Sequence, residues 1–63
     1  MILTDKEIRL LAKLAEGRTV PQVSRELHFS QWTIHGQLRM VRVKLNARNS
    51  THAVAIAIRQ GLV

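Results

Sequence analysis

The sequence predicts an all-α fold, a four-helix bundle that forms one domain over residues 1–63. Three observations support this prediction. Side chains that cap helix ends recur along the chain, apolar residues follow them at the three- and four-residue spacing of helices, and 46% of the residues are hydrophobic, which is enough for a folded core. A chain of 63 residues has room for only one such core.

The first helix is expected over about residues 5–16. Thr4 and Glu7 have the spacing of a capping box, in which each side chain bonds to the backbone of the other residue. Gly17 can adopt the left-handed conformation that ends a helix. The predicted buried face consists of Ile8, Leu11, Ala12 and Ala15, with Leu10 and Leu14 at its edges.

The second helix is expected over about residues 20–27, because Thr19 and Gln22 repeat the capping box. Pro21 is compatible with this helix, since the amide of a first-turn residue has no helical acceptor. Its apolar positions are Val20, Val23 and Leu27.

A turn of residues 28–30 leads into a third helix over about residues 31–45, which Ser30 caps. Phe29 is expected to fill the angle between the second and third helices. The inward stripe of the third helix is predicted to be Ile34, Leu38, Val41 and Leu45. The opposite face then carries Trp32, Gly36, Arg39 and Val43, flanked by His35 and Arg42.

A fourth helix is expected, capped by Asn49 or Ser50 and ending at Gly61. It is apolar almost all round, so one side can close the core and the other can contact a second copy of the chain. The core side is predicted to be Ala53, Val54, Ala57 and Ile58, together with Leu62. The predicted homodimer interface is His52, Ala55, Ile56 and Arg59, and the alternative is that Ile56 is an isolated surface residue of a monomer.

Charge is distributed unevenly along the chain. Residues 1–26 hold five Lys and Arg against four Asp and Glu, whereas residues 27–63 hold five Lys and Arg and no acid. A surface of this kind attracts polyanions, of which nucleic acid is the commonest, although a basic protein that is merely soluble is the alternative. The chain has no cysteine, no apolar run of membrane-spanning length and no signal peptide at its start, so a cytoplasmic location without membrane contact is expected.

A short helix, a three-residue turn and a longer basic helix form the layout of a helix-turn-helix that binds double-stranded DNA. Trp32 is expected either to contact a thymine methyl group or a sugar, or to fold back over Phe29. Gly36 allows close approach to DNA or is a neutral surface glycine. The predicted base-facing residues are Gln31, Trp32, His35, Gly36 and Arg39, and Arg18, Arg42, Lys44 and Arg48 are predicted to contact phosphates.

Four stretches resemble the DNA-binding domain of LuxR/GerE-type bacterial transcriptional regulators. They are LTDKE at 3–7, LAEGRTVPQVSREL at 14–27, FSQWTI at 29–34, and VKLNARNSTHAVAIAIRQGLV at 43–63. The resemblance implies a helix-turn-helix without a wing, whose third helix enters the major groove and whose fourth helix forms a homodimer. By position it also implies base-facing roles for His35, Gly36 and Arg39, and contacts to the DNA backbone for Thr19, Thr33 and Lys44.

The predicted function is therefore sequence-specific binding of double-stranded DNA as a homodimer, in the regulation of transcription. Enzymatic function is not expected, because the three histidines lie on different elements, the four carboxylates all lie in residues 1–26, and no phosphate-binding loop occurs. No cofactor or metal is expected. Two alternatives stay open: a module that pairs with and sequesters a larger related regulator, and a promoter-recognition domain like that of sigma factors. RNA polymerase is a further partner under these interpretations.

Overall fold

The computed structural model describes residues 3–63 and has four helices over that range, which confirms the all-α prediction. The predicted helix boundaries agree with the structure to within two residues. The helices are α1 (Asp5–Ala15), α2 (Val20–Leu27), α3 (Gln31–Leu45) and α4 (Ser50–Arg59).

Local side-chain hydrogen bonds fix where the helices begin. The backbone N–H of Glu7 donates to Thr4 Oγ1 at 3.2 Å, and the N–H of Thr4 donates to Glu7 Oε1 at 2.8 Å, so the predicted capping box is present. An equivalent box at Thr19 begins α2, and Ser30 Oγ accepts from the N–H of Thr33 to begin α3. Of the two predicted caps for α4, the structure selects Asn49.

Each of the four helices is followed by a residue in the left-handed conformation. Gly17 and Gly61 have φ of 93° and 71°, which costs glycine little because it has no Cβ. His28 and Asn46 adopt φ of 60° and 54° in the same role, although neither is glycine. The left-handed His28 keeps the turn between α2 and α3 to three residues, and the N–H of Phe29 donates to the carbonyl of Ser24 at 3.0 Å.

Two clusters of buried side chains make up the core. The first lies between α1, α2 and α3, and the second lies between α1, α3 and α4, so α1 and α3 each contact every other helix. The first cluster consists of Leu10, Val23, Ile34 and Leu38, and the second consists of Leu11, Val41, Ala53 and Ala57.

The predicted buried face of α1 was displaced by part of a turn. Leu10, expected at the edge, is fully buried beside Leu11, whereas Ala15, expected in the core, is exposed. The reason is that neighbouring residues Leu10 and Leu11 serve different clusters, so the buried arc of α1 is centred between them and includes Glu7.

The predicted orientation of α4 was also wrong in part. Ile58, expected in the core, is 54% exposed, and Ile56, expected on the surface, is half-buried. The buried face of α4 is centred on Ala53 and Ala57, whose small side chains allow α4 to lie close to α1 and α3. A helix that is apolar almost all round does not reveal by composition which side faces the core.

Phe29, expected to fill the angle between α2 and α3, lies beside residues of both helices but is not buried. It is 39% exposed and lines a surface groove with Leu27, Gln37, Lys6 and Arg9. Within residues 3–63, no helix has both the length and the hydropathy needed to cross a bilayer.

Candidate nucleic-acid interface

The orientation of α3 decides which of its side chains can meet a partner. Ile34 and Val41 are fully buried and Leu38 is 2% exposed, as the spacing predicted. Because these three residues hold one side of α3 against the rest of the domain, the opposite side faces solvent along the whole helix. The sequence had assigned Trp32, Gly36 and Arg39 to that side and His35 to its flank. The structure leaves all five of the predicted base-facing residues exposed: Gln31, Trp32, His35, Gly36 and Arg39.

An open concavity lies on this outward face of α3. Six residues line it, and none of them is acidic: Trp32, Thr33, His35, Gly36, Arg39 and Arg42. The structure therefore brings together four of the predicted base-facing residues and two of the predicted phosphate contacts in one concave, positively charged surface, called here the reading face.

Trp32 and Gly36 determine the shape of the reading face, because one has a large side chain and the other has none. The Trp32 side chain is 87% exposed, so its ring does not fold back over Phe29, which was one of the two expectations. One turn further along, a Cβ atom added to Gly36 would meet no heavy atom within 4 Å. The fold itself therefore does not require glycine at position 36, although glycine inside a helix costs about 1 kcal/mol relative to alanine.

Two threonines lie at helix N-termini. Thr19 precedes α2 and Thr33 lies in the first turn of α3, and both are exposed. Thr33 Oγ1 lies 2.9 Å from Ser30 Oγ, so the two hydroxyl groups share a hydrogen bond at the start of α3. Helix N-termini carry partial positive charge and unbonded N–H groups, so these positions are suited to phosphate oxygens.

Arg18, a predicted phosphate contact, is held in a surface cluster of ion pairs. Its Nε donates to Glu26 Oε2 at 2.8 Å, and its Nη1 bonds to Glu16. Lys13 Nζ bonds the other oxygen of Glu26 at 2.6 Å. Hydrogen bonds from Lys13 and Arg18 lower the pKa of the Glu26 carboxyl, and the hydrogen bond to Glu26 raises the pKa of Arg18. The charge of Arg18 is therefore balanced locally.

Lys44, another predicted phosphate contact, is paired across the fold. Its Nζ lies 2.8 Å from Glu7 Oε1 and 3.0 Å from Glu7 Oε2, and both side chains are largely buried. Burial by itself raises the pKa of the Glu7 carboxyl, but the hydrogen bonds from Lys44 and from the Thr4 N–H outweigh it, so this pKa lies below its ordinary value. The sequence had suggested that the basic residues of the second half of the chain have no acidic partner. The structure shows that at least Lys44 has one, Glu7 from the first half.

The other basic side chains leave the protein surface positively charged. Glu7, Glu16 and Glu26 are each taken up by an ion pair. Within residues 3–63, the Lys and Arg side chains that form salt bridges are Lys13, Arg18 and Lys44. The Lys and Arg side chains of that range without a salt bridge are Lys6, Arg9, Arg25, Arg39, Arg42, Arg48 and Arg59. Arg42 Nη1 donates to Ser50 Oγ at 3.3 Å, which leaves its other N–H groups available.

The exposed side of α4 was only partly anticipated from sequence. Opposite the buried Ala53 and Ala57 lies the half-buried Ala55, with the exposed Thr51, Ile58 and Arg59 beside it. Thr51 and Ile58 were missed because the alanines had not been recognised as the centre of the buried face. His52, a predicted interface residue, is half-buried, and its Nδ1 accepts from the N–H of Arg48 at 3.0 Å.

Comparison with known protein families accounts for this arrangement. A model of the bacterial regulatory proteins of the luxR family matches residues 1–57. The chain belongs to the luxR family. Its helix-turn-helix is thus that of DNA-binding regulators of transcription.

Individual luxR-family relatives are similar over almost all of this chain. It is 34% identical over 62 residues to the HTH-type quorum sensing-dependent transcriptional regulator VjbR of Brucella ovis, covering 98% of the chain and 24% of the relative. It is 36% identical over 61 residues to the uncharacterized transcriptional regulatory protein YvfU of Bacillus subtilis, covering 97% of the chain and 30% of the relative. For the transcriptional activator protein BjaR1 of Bradyrhizobium diazoefficiens the identity is 34% over 61 residues, covering 97% and 25%. The chain therefore spans less than a third of the length of these relatives.

In the part of the chain that the structure describes, no group of three or more His, Cys, Asp or Glu side chains lies close enough together to hold a metal ion.

Proposed function

We propose that this luxR-family chain binds double-stranded DNA sequence-specifically, with α3 in the major groove, and thereby regulates transcription. The observation that carries the proposal is the reading face, a concave surface without acids on the side of α3 that is opposite its buried stripe. An α-helix fits the major groove of B-DNA, where each base pair presents a distinct pattern of donors, acceptors and methyl groups.

Base recognition is assigned first to Arg39. Its guanidinium forms no salt bridge within residues 3–63, so no internal bond has to be broken before it meets DNA. Arginine donates two parallel hydrogen bonds to the O6 and N7 atoms of guanine, which is the commonest specific contact in the major groove. His35 lies on the same surface and can donate or accept at a base edge.

Most of the affinity for DNA is assigned to side chains that contact the phosphates of its backbone. Arg42 lines the reading face and Arg48 is exposed beyond the end of α3, where both can replace counterions on phosphates. Thr19 and Thr33 add hydroxyl groups at two helix N-termini. Lys44 and Arg18 contribute less to this term, because their charges are balanced by carboxylates of the same chain.

We also propose a homodimer through α4. Its contact is centred on Ala55 and Ile58 and no longer includes Ile56, which is half-buried. The supporting observation is the outward face of α4, where the large apolar side chain of Ile58 is 54% exposed and Thr51 and Arg59 are exposed as well. The small Ala55 at the centre of this face allows a two-fold related helix to approach closely. Such a dimer would place two copies of α3 on half-sites about 10 base pairs apart.

The test is selection of duplexes from a random pool by the purified chain, followed by gel shifts on the selected duplex and on a scrambled one. The proposal expects a shared sequence element, and tighter binding to the selected duplex by a factor of at least about 10³. Equal affinity for selected and scrambled DNA would contradict the proposal and favour a module that acts by pairing with a larger regulator.

A further inference from the structure

Trp32 is the most exposed large hydrophobic side chain in the described part of the chain. Its side chain is 87% exposed, compared with 71% for Val43, 54% for Ile58 and 52% for Met40. It is also the one tryptophan of a chain that has no tyrosine. Neither core cluster includes Trp32. Covering its exposed indole ring with a partner would lower the free energy, because apolar surface is removed from water.

The position of Trp32 specifies where that partner lies. The residue is in the first turn of α3 and lines the reading face together with His35, Gly36 and Arg39. One turn after the indole, Gly36 has no side chain and open space around it. The missing side chain at Gly36 allows the backbone of α3 to approach the edges of the bases. The protruding ring of Trp32, one turn earlier, can then contact the edge of a neighbouring base.

We propose that Trp32 is a specificity-determining residue that recognises the 5-methyl group of thymine. This inference rests on the proposed function. Among the groups that the four base pairs display in the major groove, the thymine methyl is the one that is apolar, and the rest are hydrogen-bond donors and acceptors. An apolar ring with a single N–H donor therefore finds its best complement there, whereas a phosphate would favour one of the charged residues beside it.

The distance between Trp32 and Arg39 adds a prediction about the DNA sequence. The two residues are seven positions apart on one helix, which separates them by about 10 Å along its axis. At about 3.4 Å per base step, this corresponds to about three base steps when α3 follows the groove. The half-site is thus expected to hold a thymine about three steps from the guanine that Arg39 contacts.

The experiment replaces each thymine of the selected duplex in turn by deoxyuridine, which lacks only the methyl group. Affinities of the wild type and of Trp32→Ala are measured by anisotropy of labelled DNA. For the wild type, one replacement should weaken binding about three- to fivefold, as expected for loss of one buried methyl contact. For Trp32→Ala the same replacement should have no effect, and Trp32→Phe should keep part of the wild-type difference. Emission from the single tryptophan should change more with the thymine duplex than with the deoxyuridine duplex.

Circular dichroism should show an unchanged fold for Trp32→Ala, because the side chain belongs to neither core cluster. The inference is overturned if no replacement weakens wild-type binding, or if each replacement lowers the affinity of wild type and Trp32→Ala by the same factor. It is also overturned if the selected half-site contains no thymine. In each of these cases selective binding to the duplex persists, so the proposed function survives. Failure to select any duplex overturns both.

Discussion

Lys44 Nζ lies 2.8 Å from Glu7 Oε1, which joins the last turn of α3 to the first turn of α1. Glu7 also accepts from the N–H of Thr4, so one carboxylate both caps α1 and anchors the helix that carries the reading face. Both side chains are largely withdrawn from water, so replacing one of them alone leaves the other buried without its hydrogen-bonded partner. The pair therefore links the orientation of α3 to that of α1.

Replacing Glu7 by Gln is expected to destabilise the domain by about 1 to 3 kcal/mol at pH 7. Glutamine keeps the hydrogen bond to the Thr4 N–H but leaves the Lys44 ammonium without its counter-charge. Urea unfolding followed by circular dichroism measures the change. Combined with Lys44→Met, the loss should be smaller than the sum of the two single losses, and additive losses would show that the pair contributes no coupling.

The same pair predicts a pH dependence. Because the pKa of Glu7 in the folded protein lies below its ordinary value of 4.5, the carboxylate stabilises the fold above that pH, and this contribution is lost as the pH falls through the lowered pKa. The wild type should therefore lose more stability than Glu7→Gln between pH 6 and about pH 3. Parallel curves of unfolding free energy against pH would contradict this assignment.

Replacing Gly36 by Ala is expected to affect stability and DNA binding in opposite directions. The added methyl group meets no atom of the protein, so the unfolding free energy should rise by about 0.5 to 1 kcal/mol. Binding to the selected duplex should weaken if the α3 backbone approaches the bases at this point. Thermal melts and gel shifts on the same preparation measure the two effects, and unchanged affinity would make Gly36 a neutral surface residue.

Replacing Arg39 by Ala is expected to cost about 1 to 3 kcal/mol on the selected duplex and little on random DNA. The reason is that a two-bond contact with guanine is lost only where guanine is present. Competition binding with both DNAs measures the difference, and Lys6→Ala, which removes an exposed charge outside the reading face, is the control. Equal losses on both DNAs would reduce Arg39 to a phosphate contact.

Arg42 and Arg48 are expected to act on all sequences alike. Replacing either by Gln should reduce the slope of log affinity against log salt by about 1, because one fewer counterion is released. Arg18→Gln, which removes an arginine already paired with Glu16 and Glu26, should reduce the slope less. Titrations at several salt concentrations test this, and the same slope for all three variants and the wild type would remove the phosphate assignment.

Replacing Ile58 by Glu is expected to abolish cooperative binding to a duplex with two half-sites while keeping the fold and binding to one half-site. Ile58 is more than half exposed, so the charge is tolerated in the monomer but not in a two-fold contact. Gln60→Glu adds the same charge at an exposed position near the end of α4 and is the matched control. Wild-type cooperativity in Ile58→Glu would place the dimer contact elsewhere.

The helix boundaries and the reading face were predictable from the sequence because they depend on neighbours in the chain. A capping box such as that of Thr4 and Glu7 is complete within four residues, and the spacing from Ile34 to Leu38 and Val41 already defines one side of a helix. Once that side is buried, the exposure of Trp32 and Arg39 follows from helix geometry alone.

Tertiary packing decided the features that involve two distant segments. No local pattern indicates that Glu7 lies beside Lys44, 37 positions away, so the ion pair of this predicted phosphate contact could not be foreseen from the sequence. Likewise, α4 is apolar on several sides, and only its approach to α1 and α3 selects Ala53 and Ala57 for the core and leaves Ile58 in water. Local hydrogen bonds and periodicity define each helix by itself, whereas its rotation and its charge partners depend on how closely the other helices can pack.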